Sequence, residues 1–194
     1  MRRVLKSFAT LALATASLHA VADTVLAPGA TWEYTFTDPT AGAWTTTTGG
    51  WSMGAAPFGN TSGGDFGYAT YWPASGSTAD DLWIRRTVDF TGFDISTAHW
   101  DLGVDNGYKL YVNGTLLSAH NAEGFTSRWE YGGGFGATLH SGVNFVALAL
   151  EDHGGATAFD MRITAAPVPE PETYAMMLAG LGVMGAVARR RKAS

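Results

Sequence analysis

Apolar residues recur at every second position through most of the middle of this chain, and that period commits it to β-strands. Trp32, Tyr34 and Phe36 share one face of residues 31–36. In residues 82–90 the inward set is Leu82, Ile84, Val88 and Phe90; Arg86 falls on the same face and should need a carboxylate partner if it is buried. Ala98, Trp100, Leu102 and Val104 alternate with His99, Asp101 and Asp105, and Tyr108, Leu110 and Val112 continue the pattern to Asn113-Gly114. That dipeptide predicts a tight hairpin, because a type I′ turn needs positive φ at both central positions. Residues 144–151 are apolar on both faces, as expected of a central strand. Phe159, Met161 and Ile163 alternate with Asp160, Arg162 and Thr164. No stretch among these carries a 3.6-residue stripe, so residues 23–165 read as one all-β sandwich or barrel domain. Two glycine-rich stretches, seven glycines in 49–67 and five in 124–136, predict surface loops, with Gly132-Gly133-Gly134 a turn.

The two ends have a different character. Arg2, Arg3 and Lys6 precede a short apolar run from Phe8 to Leu18, and Ala20-Val21-Ala22 offers the small residues a signal peptidase reads. Residues 1–22 are therefore expected to be a signal peptide cleaved after Ala22. At the other end Val168-Pro169-Glu170-Pro171 leads into an uncharged run from Tyr174 to Ala188, closed by Arg189, Arg190, Arg191 and Lys192. The prolines fix φ and hold the chain extended. The apolar run predicts a short transmembrane helix over about 174–188, with the basic end on the cytoplasmic side of the inner membrane. Its 15 residues make about 22 Å of helix, against roughly 30 Å of hydrocarbon, so it looks like a transient hold whose arginines must snorkel. Box, helix and basic stop in this order resemble the PEP-CTERM sorting signal, over residues 166–194. The resemblance implies recognition by the membrane protease-transpeptidase exosortase and delivery to the cell surface or the extracellular space, as for a biofilm-matrix protein.

With the ends set aside, residues 23–165 hold Arg85, Arg86, Lys109, Arg128 and Arg162 against 15 Asp and Glu, a formal charge of 5 − 15 = −10. Such a field repels phosphate backbones, so nucleic acid is excluded as a partner. There is no cysteine, which removes disulfides, thiolate metal sites and cysteine catalysis. The histidines lack metal-ligand spacing, and there is no Gly-x-Ser-x-Gly elbow. Asp80-Asp81, Asp101, Asp105 and Glu151-Asp152 could supply the two carboxylates of a glycosidase. Solvated loop charge is the plainer reading, so no catalytic residue and no cofactor is assigned.

A second resemblance runs through the domain. Trp51 to Gly59, Leu82 to Arg86, Val104-Asp-Asn-Gly-Tyr-Lys-Leu-Tyr-Val-Asn-Gly114 and Gly142-Val-Asn-Phe-Val-Ala-Leu-Ala-Leu150 stand in an order that resembles the galactose-binding-like jelly roll of carbohydrate-binding modules. It implies a jelly-roll β-sandwich that binds sugars through loops, at times with a structural calcium. Asp101 and Asp105, flanking a strand end, form the expected calcium pair. Tyr68, Tyr71 and Trp72 are the expected glycan platform, since aromatic faces stack on sugar C–H faces. Trp72 precedes Pro73 and so is expected to leave the ladder and be exposed. The function expected is a non-catalytic surface protein that binds or organises extracellular polysaccharide. The alternatives are a secreted glycan-active hydrolase and a structural protein without a ligand. An ice-binding plane is disfavoured because Thr45 to Thr48 form no Thr-x-Thr ladder.

Overall fold

The computed structural model describes residues 22–39, 44, 50–60, 67–121, 128–169 and 171–193. The proposed signal peptide up to Val21, the Thr45–Thr48 run and Glu170 lie outside them. In chain order the strands are β1 (Asp23–Leu26), β2 (Thr31–Thr35), β3 (Ser52–Ala55), β4 (Phe58–Gly59), β5 (Thr70–Tyr71), β6 (Leu82–Asp89), β7 (Phe93–Asp105), β8 (Gly107–Val112), β9 (Thr115–His120), β10 (Tyr131–Gly134), β11 (Val143–Glu151) and β12 (Ala158–Pro167). One helix, α1 (Pro171–Ala193), follows.

The strands form two six-stranded sheets, β10-β7-β12-β4-β5 with β1 also paired to β12, and β3-β2-β6-β11-β8-β9. The pairing is antiparallel except between β4 and β5. The chain crosses between sheets at Asn106, where β7 ends in one and β8 begins in the other. This is the expected all-β sandwich. The strand expected to be central, β11, is paired on both sides, to β6 and β8. The hairpin is also as expected: Asn113 and Gly114 have φ of 50° and 80° between β8 and β9.

The inward faces meet in one core that includes Trp32, Phe58, Trp72, Ile84, Phe90, Leu102, Leu148 and Phe159, each 0% exposed. Each such side chain contributes about 1.5–3 kcal/mol through burial. Asn144 sits at the edge of this core, 1% exposed, and serves as a clamp. It donates to the carbonyls of His140 and Gly142, and its Oδ1 accepts from His140 N and Asn113 Nδ2. The Gly-x-Asn and Asn-Gly motifs therefore tie the β8–β9 hairpin to the start of β11, and their role is structural.

Two sequence expectations are corrected here. The glycine-rich stretches are not simply loops: 49–67 contributes β3 and β4, and Gly132 to Gly134 form most of β10 against β7. Close approach explains the glycines. A Cβ on Gly59 would stand 2.6 Å from the Thr157 carbonyl, and one on Gly132 would stand 3.0 Å from that of Trp100. The second correction concerns the arginines of β6. The carboxylate partner belongs to Arg85, which is 5% exposed and bonds Glu33 at 2.6 Å, and not to Arg86. Arg85 projects from the outer face of its sheet yet is buried, because aromatic residues from another segment cover it.

Candidate functional site

The aromatic candidates separate by strand alternation. Tyr71 lies on β5 and is 58% exposed; Tyr68 is 45% exposed, and the two rings meet edge-on at 6.1 Å. Trp72 takes the opposite face and is fully buried. Its Nε1 donates to the Asp80 carbonyl at 2.6 Å, and its backbone N–H donates to Gly59 O at 2.8 Å. The expectation of exposure fails for a definite reason. A proline removes its own N–H from a ladder, not that of the residue before it. Tyr68 and Tyr71 remain the surface pair; Trp72 is core.

The Asp101–Asp105 pair is also corrected. The two residues lie four apart on the continuous strand β7, which sets them roughly 13 Å apart along it, too far to share one cation. Asp101 is instead bonded to Arg162 Nε at 2.8 Å, with His99 Nε2 at 3.5 Å. Among the described residues no group of three or more His, Cys, Asp or Glu could hold a metal ion.

Asp105 belongs to a different cluster, at the corner where β7 passes into β8. It is 2% exposed, and its Oδ1 has no hydrogen-bond partner. Nearby, Asp152 accepts from Gly76 N and Gly154 N, Asp81 accepts from Asp152 N, and Asn106 accepts from His153 N. Glu151 takes Lys109 Nζ at 3.0 Å, which raises the lysine pKa. The carboxylates offered by the sequence for a glycosidase pair thus largely fasten loops. Burial first, then the charges of Asp152 and Glu130, pushes the Asp105 carboxyl up from 3.8 to about 6, with His153 opposing. Burial also raises Asp81. Because the folded pKa of Asp105 exceeds its unfolded value, its favourable contribution is complete below about pH 3.8 and is lost as pH rises through about 6. Asp105→Asn is accordingly expected to gain about 1–2 kcal/mol at pH 7.5 and nothing at pH 4. Thermal melts at the two pH values check this; an equal gain at both would show that ionisation is not the cause.

One cluster was not anticipated from sequence. Arg85 lies under the Trp51 ring, 4.0 Å from its centroid, and donates to the Trp44 carbonyl at 2.8 Å. Trp44 stacks on Trp51 at 6.3 Å and meets Tyr111 edge-on at 5.6 Å. Beside this stack a cleft of about 410 Å³ opens, lined by residues of β2, β3, β6 and β11. The alternation in β2 and β6 put Glu33 and Arg85 outward, but only their cross-strand register makes them a pair.

β12 ends at Pro167 and α1 begins at Pro171. Ala166 and Pro167 still pair with Asp94 and Phe93, and Val168 N donates to Gly92 O at 2.8 Å, so the start of the sorting box is fixed to the sandwich. Pro171 opens the helix rather than extending the box, a position where its missing N–H goes unused. Glu172 lies in the first turn and Arg190, Arg191 and Lys192 in the last, matching the helix dipole at both ends. Every side chain from Glu172 to Lys192 is exposed, with Met176, Leu178 and Val183 at 65–75%. The helix is longer than expected, yet among the described residues no helix is long and apolar enough to cross a membrane. The expected span over 174–188 is corrected to that extent: its apolar part stays short because charged residues occupy both ends.

The sandwich is similar in structure to part of an uncultured Clostridium sp. β-glucuronidase, with a TM-score of 0.50 and 9% identity over 80% of this chain and 31% of that one. It is similar also to part of the Ruminococcus gnavus β-glucuronidase, with a TM-score of 0.50 and 11% identity over 76% and 29%. The chain spans under a third of the length of these structures, and the likeness concerns the fold. Among curated proteins none matches the chain. The C-terminal residues do match a family model. Residues 167–192 are a PEP-CTERM protein-sorting motif, which marks the chain as an exported protein recognised by exosortase.

Proposed function

We propose that the chain is exported after removal of residues 1–22 and held at the inner membrane by α1. Exosortase then releases it to the cell surface, where the sandwich binds or organises extracellular polysaccharide without catalysis. The observation that carries this reading is the sorting motif at residues 167–192, whose start at Val168 is hydrogen-bonded to the folded domain. β1 begins at Asp23, directly after the proposed signal peptidase site, which supports the first cleavage. The membrane hold is short: Arg189 to Lys192 must reach the headgroups, and such a helix is released more readily than a full span. For the ligand, support comes from the sandwich fold shared with parts of proteins named as β-glucuronidases, and from the exposed Tyr68–Tyr71 pair. The jelly-roll assignment belongs to the same proposal. A structural calcium, if the domain uses one, needs a site other than Asp101 with Asp105.

Protein recovered from the surface fraction tests both halves. Its mass spectrum should contain no peptide spanning Met176 to Arg189, and the same protein should bind at least one polysaccharide on a glycan array without hydrolysing it. An intact tail would defeat the processing step, release of sugar would make the domain an enzyme, and an array without any signal would leave a structural protein.

A further inference from the structure

Arg86 is in an unusual position for an arginine of an acidic domain. Its guanidinium lies 5.5 Å over the buried Trp32 ring and donates through Nη1 to Thr31 O at 3.1 Å and through Nε to Thr87 O at 3.3 Å. Among the described residues no carboxylate lies within 4.0 Å of it, although its neighbour Arg85 has Glu33 at 2.6 Å. Among the described residues no hydrogen bond engages its Nη2. Burial lowers its pKa, as expected for a cation that has lost water without gaining an anion. A cation in that state favours an anion brought from outside.

The surroundings indicate which anion. Arg86 lines the cleft of about 410 Å³ with Glu33, Met53, Thr87 and Phe145 among its other walls. That volume falls within the range of small-ligand sites, roughly 300–1,000 Å³. Met53 and Phe145 supply apolar surface, Thr87 a hydroxyl and Glu33 an acceptor, so the cleft offers hydroxyl partners and a C–H platform beside one uncompensated positive charge. The charge of −10 on residues 23–165 does not decide the matter at this range, since exposed charges beyond about 8 Å are screened at physiological salt.

We propose that this cleft binds the carboxylate of a uronic acid unit in an acidic polysaccharide. Arg86 pairs with the carboxylate, Phe145 and Met53 lie against the sugar ring, and Glu33 and Thr87 bond its hydroxyls. The proposal rests on the reading of the sandwich as polysaccharide-binding, and it adds the chemical class and the place.

Affinity electrophoresis of the full chain in detergent, through gels containing polygalacturonate or the neutral glucan dextran, tests it. Polygalacturonate should retard the wild type; Arg86→Gln should raise the Kd at least tenfold, and Arg86→Lys less. Met53→Glu keeps every guanidinium and changes an exposed position on edge strand β3, yet adds a second anion to the cleft, so it should give the same loss even if Arg86→Gln fails to fold. Unchanged retardation of Met53→Glu and of any folded Arg86→Gln would overturn the site while leaving polysaccharide binding intact. Retardation by dextran and not by polygalacturonate would overturn the uronate assignment alone. Absence of retardation by either, together with a blank glycan array, would overturn this inference and the proposed function together.

Discussion

Trp72→Ala is expected to destabilise the domain by about 3–5 kcal/mol, the range for removing a buried aromatic from a core. The indole is fully buried, and its loss would leave a cavity between the sheets and strand the Asp80 carbonyl that it bonds at 2.6 Å. For a domain of this size the melting temperature should fall by roughly 10–15 °C. Tyr71→Ala, one residue earlier on the exposed face, should change stability by no more than about 0.5 kcal/mol. The contrast between neighbours is the informative result. If Trp72→Ala melted like the wild type, the side chain would have to lie outside the core.

Asp160→Ala should be comparably damaging. Asp160 is 0% exposed and accepts three hydrogen bonds, from Gly29 N at 3.1 Å, Met161 N at 2.9 Å and Arg128 Nη2 at 2.6 Å. Alanine takes the acceptor away from two backbone N–H groups and removes the carboxylate from Arg128, whose side chain is 35% exposed, together a loss of about 3–5 kcal/mol. Arg128 also lies 5.3 Å from the Trp129 ring, whose other neighbour is Arg162 at 4.8 Å, so the 128–129 turn should loosen as well. Asp160→Asn keeps an acceptor for the backbone donors and should lose only about 1–2 kcal/mol. Urea denaturation of both variants measures the difference. An alanine variant within about 1 kcal/mol of the wild type would show that this carboxylate does not hold the turn.

Strand alternation in residues 82–90, 98–112 and 144–164 was readable because each strand buries one face or two, and burial imposes a period on apolar residues. The Asn113-Gly114 hairpin was readable because few residues other than Asn and Gly accept positive φ. The sorting signal was the most legible part, since box, apolar run and basic end act locally and in order. Trp72 is not legible as core from its place before Pro73, because the proline removes only its own N–H and leaves that of Trp72 to pair with Gly59 O. Gly132 to Gly134 are not legible as a strand because a glycine strand has no side-chain period to display; it is defined only by the neighbours that leave little room for a Cβ.

The amino-acid order by itself determined which segments extend, where the tight hairpin falls, the acidity of the domain and the character of both ends, all properties of short stretches of chain. Only the tertiary structure decided which outward residues meet. It paired Arg85 with Glu33 through the β2–β6 register and, among the described residues, left Arg86 without a carboxylate. It separated Asp101 from Asp105 along one strand and gathered Asp81, Asp105 and Asp152 at one corner. Charge and burial at a point depend on every segment that arrives there. Contacts between residues tens of positions apart are set by sheet register and by the crossings between sheets, and neither has a local signature in the sequence.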